Sequence, residues 1–297
     1  MGYFSALVSL SQPLSVPYNR CMINVAAVQM VSTDTLSENL ENAEKLIAEA
    51  VSKQAKFVTL PENFPLMGKE DAERLAIVEP FGDGAIQTFL SGQSRKNNIW
   101  LLGGTVPLKS ENPDKVYAAS LLYNPGGECV ARYNKIHLFD VLVNEESEES
   151  YLESATFKAG KEVVVVQTEV GNIGLSVCYD LRFPELYRKM HKDNVQIITA
   201  PSAFTATTGE AHWESLLRTR AVENLCYVIA SNQGGIHING RETWGHSMII
   251  DPWGTVIAEL KKGPGVAVAS IDLEKQGKLR KMFPTLTHRK LDYKLND

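Results

Sequence analysis

The chain has 297 residues, of which 44% are hydrophobic and 22% charged, enough apolar material for a large buried core and about one to two domains. With a net charge of −5, nothing in the composition suggests a nucleic-acid or polyphosphate partner. Apolar runs such as Val163–Val166 and Gln196–Ala200 are strand-length, far short of the roughly 18 residues of a membrane span.

Residues 1–21 hold a short apolar patch, Phe4–Leu10, with no basic residue before it, unlike a secretory signal. They read as a flexible extension ahead of a single domain over 22–297. From Met22 onward strand and helix patterns alternate. Ile23–Met30 is a buried strand, and Leu36–Val51 a helix with Leu36, Leu40, Ala43, Ile47 and Ala50 on one face. Phe57–Leu60 is a strand running into Pro61-Glu62, and Ala85–Lys96 a helix. Trp100–Val106 and Tyr117–Tyr123 are strands, and Asn124-Pro-Gly-Gly127 turns the second into Cys129–Tyr133. The acidic run Asn144–Glu153 reads as the most loop-like internal stretch.

The second half continues in the same style. Val163–Thr168 and Ile173–Val177 form a hairpin, and Pro184–Lys192 is a helix with Pro in its first turn. Gln196–Ala200 and Tyr227–Ser231 are strands around a helix at His212–Asn224. His246–Ile250 and Thr255–Glu259 flank an Asp-Pro-Trp-Gly turn. Val266–Ile271 precedes a closing helix that Asp272 can cap. Such alternation predicts an α/β layered domain whose sheets mix parallel and antiparallel pairs.

Three positions stand out chemically. Glu62 follows a buried strand directly, Lys135 follows the Cys129–Tyr133 strand, and Cys178 ends Ile173–Val177 just before a turn and a helix. A nucleophile at a strand–turn–helix junction is exposed to substrate and close to free backbone N–H groups. A thiol needs a lowered pKa or a neighbouring base, and a Lys with a carboxylate could supply both. Taken singly, a strand-end Glu is usually a solvated carboxylate, a Lys a surface charge and an apolar-strand Cys a small core residue. These residues alone reach no further than an α/β enzyme with a possible thiol nucleophile.

The segments Leu60-Pro-Glu-Asn63, Asn134-Lys-Ile-His-Leu-Phe139 and Val177-Cys-Tyr-Asp-Leu-Arg-Phe-Pro-Glu185 resemble, in order, the three signature motifs of the nitrilase superfamily. Ala200–Phe204, Gly209–Glu214 and Gly245–Ile249 extend the likeness over about residues 22–285, and its details resemble the Nit branch. The resemblance implies an αββα four-layer sandwich, two mixed sheets with helices outside. It implies an amidase working through a Cys178 thioester, with Glu62 as general base and Lys135 and the Tyr179 N–H as oxyanion donors. Glu153 best matches the family's second glutamate, with Glu145, Glu146, Glu148 and Glu149 crowding the same stretch. Arg182 and Thr208 would hold a substrate carboxylate; Arg182 could instead pair with Asp180 or Glu185. His137 and Phe204 would line the pocket, with core packing the alternative for Phe204. The implied substrate is a small 2-oxo acid amide, deaminated glutathione before α-ketoglutaramate, with N-carbamyl amides or nitriles as rivals.

No cofactor and no metal are expected: His212, His237 and His246 lack metal-ligand spacing, and Gly82-Asp-Gly84 is a turn. Gly174-Leu-Ser-Val-Cys178 begins like a serine nucleophile elbow, but Ser176 lies deeper in the strand. A non-catalytic scaffold of the same fold would be free to lose a motif residue, and none is lost. Cys21, Cys129, Cys178 and Cys226 have no CxxC spacing and read as reduced thiols of a cytoplasmic protein. Family likeness implies a homodimer or higher homo-oligomer, with Leu186, Tyr187 and Met190 an apolar stripe that either makes the contact or, equally, packs into the core.

Overall fold

A computed structural model of the chain describes residues 22–69, 71–144 and 149–291. The extension read over 1–21, and with it Cys21, lies outside the described residues, as do Glu145, Glu146 and Glu148.

Two mixed sheets form. In the first, Ile23–Gln29 pairs antiparallel with Gly265–Ile271 and parallel with Phe57–Thr59, which runs parallel to Trp100–Leu102. Val116–Tyr123 follows antiparallel and also carries Val106–Lys109 and Cys129–Asn134. The second sheet runs in the order Val256–Leu260, Ser247–Ile250, Tyr227–Ala230, Ile197–Thr199, Gly171–Leu175, Val165–Thr168. Only the pairs of Ile197–Thr199 with its two neighbours are parallel there.

The two-residue period of a strand sorts the layers. Val25 and Ala27 join Ile173, Ile197 and Ile229 in the core between the sheets. Ala26 and Val28 point the other way and meet Ala43 and Ile47 of α1 (Leu36–Ser52) and Ile86 and Leu90 of α2 (Ala85–Asn97). Helices α3 (Pro184–Met190) and α4 (Ala206–Asn224) cover the second sheet, through residues such as Met190 and Trp213. The result is the αββα sandwich that the motifs imply. A last helix, α5 (Leu273–Met282), starts at Asp272, whose side chain accepts the Lys275 N–H at 2.9 Å. No helix among the described residues is long and apolar enough to cross a membrane.

Four expectations need correction. The strand read over Trp100–Val106 breaks after Leu102, because Gly104 turns the chain at φ +40° and a new strand begins at Val106. Helix α4 starts at Ala206 rather than His212: the Thr205 hydroxyl caps it by accepting the Thr208 N–H. Part of the acidic run is ordered, as Asp140–Asn144 and Glu149–Leu152 pair into an antiparallel hairpin. Leu186, Tyr187 and Met190 are buried in the chain's own core, so α3 offers no free apolar stripe.

Candidate active site

The parallel strands deliver their carboxyl ends to one place, as open α/β sheets do. Beyond Phe57–Thr59, Pro61 and Glu62 are held from both sheets. Gln233 donates its side-chain N–H to the Glu62 carbonyl at 3.0 Å, and Asn63 donates its backbone N–H to Thr105 Oγ1 at 2.8 Å. Gly104 presses on this turn: a Cβ there would stand 1.9 Å from the Pro61 carbonyl oxygen. Only glycine permits both that approach and its positive φ.

Lys135 is anchored at the end of Cys129–Asn134 by its N–H to the Ala118 carbonyl, 3.0 Å. Its ammonium is buried between two carboxylates. It donates to Glu62 Oε1 at 2.8 Å and to both Glu153 oxygens at 2.9 and 2.8 Å. Glu153 itself is fixed by the Phe139 N–H at 2.7 Å, and Glu62 Oε2 by the Ala203 N–H at 2.9 Å.

Cys178 follows Gly171–Leu175 at φ +48°, a left-handed conformation that a non-glycine residue adopts only at a cost. It opens a short 3-10 turn, Cys178–Arg182, and its N–H bonds the Pro201 carbonyl at 2.9 Å. Asp180, wholly buried, braces the turn. It accepts the Val177 N–H at 2.8 Å, the Tyr133 hydroxyl at 2.7 Å and the His137 N–H at 3.1 Å, and lies 2.7 Å from His137 Nδ1. Tyr133 and His137 flank Lys135 two residues either side, so one carboxylate locks the lysine segment to the cysteine turn.

Charges follow from this packing. Burial alone would raise the Glu62 carboxyl, but the charge and hydrogen bond of Lys135, helped by Cys178 and Arg241, hold it below its ordinary value. Glu153 moves the other way, raised by burial and by the Glu62 charge against the pull of Lys135. Burial also disfavours the Lys135 ammonium, yet Glu153 and Glu62 keep its pKa well above the usual lysine value. Burial and the Glu62 carboxylate push the Cys178 thiol far up, and Lys135 offsets only part of that. Lys135 lowers the thiol as the sequence suggests, but burial and Glu62 outweigh it, so the net shift is upward. The resting group is a neutral thiol within hydrogen-bonding reach of an ionised Glu62.

These groups form the floor of a concave pocket that opens to solvent. Tyr179, Arg182, Phe204 and Thr208 line it, as do Phe139, Tyr151 and Arg241. Arg182 pairs with neither Asp180 nor Glu185; its guanidinium lies over the Tyr179 and Phe204 rings and 3.4 Å from His212 Nδ1. Phe204 faces both ways, lining the cavity and resting on the core ring of Trp213 at 4.9 Å. His137 does not line the cavity: it stacks on Phe183 at 3.8 Å and bonds Asp180, which corrects its expected pocket role. Ser176 is spent in the core, donating to the Thr199 carbonyl at 2.7 Å and accepting from the Tyr187 hydroxyl at 3.0 Å. The serine-nucleophile alternative falls with it.

The carbon–nitrogen hydrolase profile matches residues 24–281, nearly the whole described chain. The chain belongs to the carbon–nitrogen hydrolase family. Proteins named deaminated glutathione amidase are among the relatives of this hydrolase. One from Synechocystis is 43% identical over 89% of this chain and 97% of its own length. One from Homo sapiens is 38% identical over 94% and 86%. Among solved structures, Saccharomyces cerevisiae Nit3, a member of branch 10 of the nitrilase superfamily, superposes with a TM-score of 0.80 at 31% identity, covering 91% of this chain and 97% of Nit3. The Caenorhabditis elegans NitFhit protein gives a TM-score of 0.81 at 37% identity over 91% of this chain, which spans 65% of that longer protein.

Asp180, Tyr133 and Arg241 escaped the sequence reading as site residues. Of these only Tyr133 carried a signal: Tyr133, Lys135 and His137 share one face of an extended segment by strand periodicity. Arg241 sits in a loop with no periodic pattern to mark it.

Proposed function

We propose that this hydrolase is an amidase that splits deaminated glutathione into 2-oxoglutarate and cysteinylglycine through a thioester on Cys178. The observation that carries the reaction class is the buried Glu62–Lys135–Glu153 chain beside a neutral thiol in a left-handed turn. Glu62 takes the thiol proton as sulfur attacks the amide carbon. The oxyanion forms against the Lys135 ammonium and the Tyr179 N–H, one of the first-turn N–H groups that lack intrahelical partners. The amine leaves with the proton from Glu62, and Glu62 then activates water against the thioester. Lys135, kept protonated by two carboxylates, serves as a charge donor rather than a base.

Substrate choice is supported by the named relatives and by the cavity. Arg182 meets no carboxylate among the described residues, and the first turn of α4 stands beside it with Thr208. A guanidinium fork next to a helix N-terminus suits the carboxylate of a 2-oxo acid. We further propose that the protein is cytoplasmic and a homo-oligomer. A single sedimenting monomer at micromolar concentration would rule the assembly out.

The deciding experiment is a product assay over deaminated glutathione, α-ketoglutaramate, N-carbamyl amino acids and simple nitriles. Deaminated glutathione should give the highest kcat/KM. A higher value for α-ketoglutaramate would make the protein an ω-amidase, and turnover of nitriles alone would overturn the amidase reading.

A further inference from the structure

Arg241 lines the same cavity as Arg182 but has no place in the chemistry above. One terminal nitrogen donates to the Ala203 carbonyl at 2.6 Å, and the guanidinium lies 4.8 Å over the Tyr151 ring. Its Nε is buried without a hydrogen-bond partner. No carboxylate among the described residues pairs with it, and both cavity glutamates are committed to Lys135. Arg241 acts on Glu62 only through space, with no ion pair between them, and a bound anion at the guanidinium would offset the cost of its partial burial.

Its position tells which end of a substrate it meets. Ala203 donates its N–H to Glu62 Oε2 and accepts from Arg241 at its carbonyl, and the Arg241 charge is felt at Glu62, so Arg241 stands on the Glu62 side of the cavity. Arg182 stands against Tyr179 and Phe204, beside α4. A leaving amine must collect its proton from Glu62. Whatever that amine carries therefore runs along the Glu62 side, toward Arg241, while the acyl part runs toward Arg182. The Tyr151 ring beneath the guanidinium and the Ala203 carbonyl at one terminal nitrogen restrict its movement, which preorganises it for a carboxylate.

We propose that Arg241 is a second anion subsite, binding a carboxylate on the leaving amine, so that the cavity takes amides with one carboxylate on each side of the scissile bond. The inference rests on the amidase reading for its orientation. It predicts a preference for a peptide-like leaving group ending in a carboxylate over ammonia.

The test compares full-length wild-type enzyme with Arg241→Gln and Arg241→Lys on three substrates: deaminated glutathione, its glycinamide analogue and α-ketoglutaramate. Arg241→Gln can still donate to the Ala203 carbonyl but has no charge. It should lower kcat/KM on deaminated glutathione roughly 10- to 100-fold, mainly through KM, as expected for a lost charge-assisted hydrogen bond. The loss on the other two substrates should be at least about ten-fold smaller, and Arg241→Lys should recover part of the deaminated glutathione activity. Equal losses on all three would make Arg241 a brace for Ala203 and Glu62 and overturn the subsite. Calorimetric binding of deaminated glutathione and its glycinamide to Cys178→Ala enzyme, with and without Arg241→Gln, needs no turnover. A preference for the acid that disappears with Arg241 supports the subsite even if wild-type enzyme hydrolyses neither compound, an outcome that would sink only the amidase reading. Absence of such a preference overturns the subsite whatever the turnover.

Discussion

Glu62 and Glu153 share a single cation, and their opposite pKa shifts divide the work between them. As pH falls, Glu153, raised by burial and by its neighbour's charge, takes a proton before Glu62, which Lys135 holds down. Protonating Glu153 weakens its two hydrogen bonds to the Lys135 ammonium, so the acid limb of kcat/KM should lie above the ordinary glutamate range. Glu153→Gln removes that titration and should move the limb to lower pH, below the ordinary range, while kcat at neutral pH drops about 10²-fold as Lys135 loses its alignment. A pH profile with the limb unmoved would show that Glu153 does not set it. Cys178→Ala should abolish thioester formation yet leave the melting temperature near wild type, because Ala bears the same Cβ at φ +48°. More than a small fraction of residual turnover would refute the thioester mechanism. At this scale the sequence was informative where a motif supplied the pairing. It was silent on Arg241, whose meaning comes only from what it lacks in space.

Elements converge on the site because buried side chains tie them together, and Asp180 is the clearest tie. It binds the turn before Cys178 and the two residues flanking Lys135, so it sets the distance between nucleophile and oxyanion donor. Asp180→Asn keeps the shape but turns an NH₂ toward donors that need an acceptor. It should cost about 1–3 kcal/mol of stability and lower kcat with KM little changed. Tyr133→Phe, which removes one of those donors, should cost about 1 kcal/mol and shift kcat less. A kcat unchanged in Asp180→Asn, despite a lower Tm, would reduce Asp180 to a stability residue. The regular elements were legible wherever apolar periodicity was strong, as in α1 and the Ile23–Gln29 strand. Legibility failed where polarity hid order. The first turns of α4 read Ala-Thr-Thr-Gly-Glu-Ala, and the Asp140–Leu152 hairpin lacks the apolar–polar alternation that marks a strand.

For the whole molecule, alternating strands and helices were enough to expect layers, but the face-to-face pairing of two sheets came from the motif resemblance. Periodicity shows that Val25 and Ala26 point opposite ways; it cannot show that one meets a second sheet and the other a helix. The described architecture also bounds which part of the chain the activity needs. Ile23 begins the sheet in register with Ile271, and the pairing runs unbroken to Gln29 against Gly265. Among the described residues, every side chain that lines the cavity falls between Glu62 and Arg241. A protein beginning at Met22 therefore retains each hydrogen bond that described residues make to position Glu62, Lys135, Glu153 and Cys178. It should match the full chain in Tm to within a few degrees and in kcat/KM to within about two-fold. Thermal melts and turnover on deaminated glutathione, run side by side on the two proteins, check this. A fall of more than ~10 °C or tenfold would mean that residues 1–21 dock on the domain and belong to its functional unit.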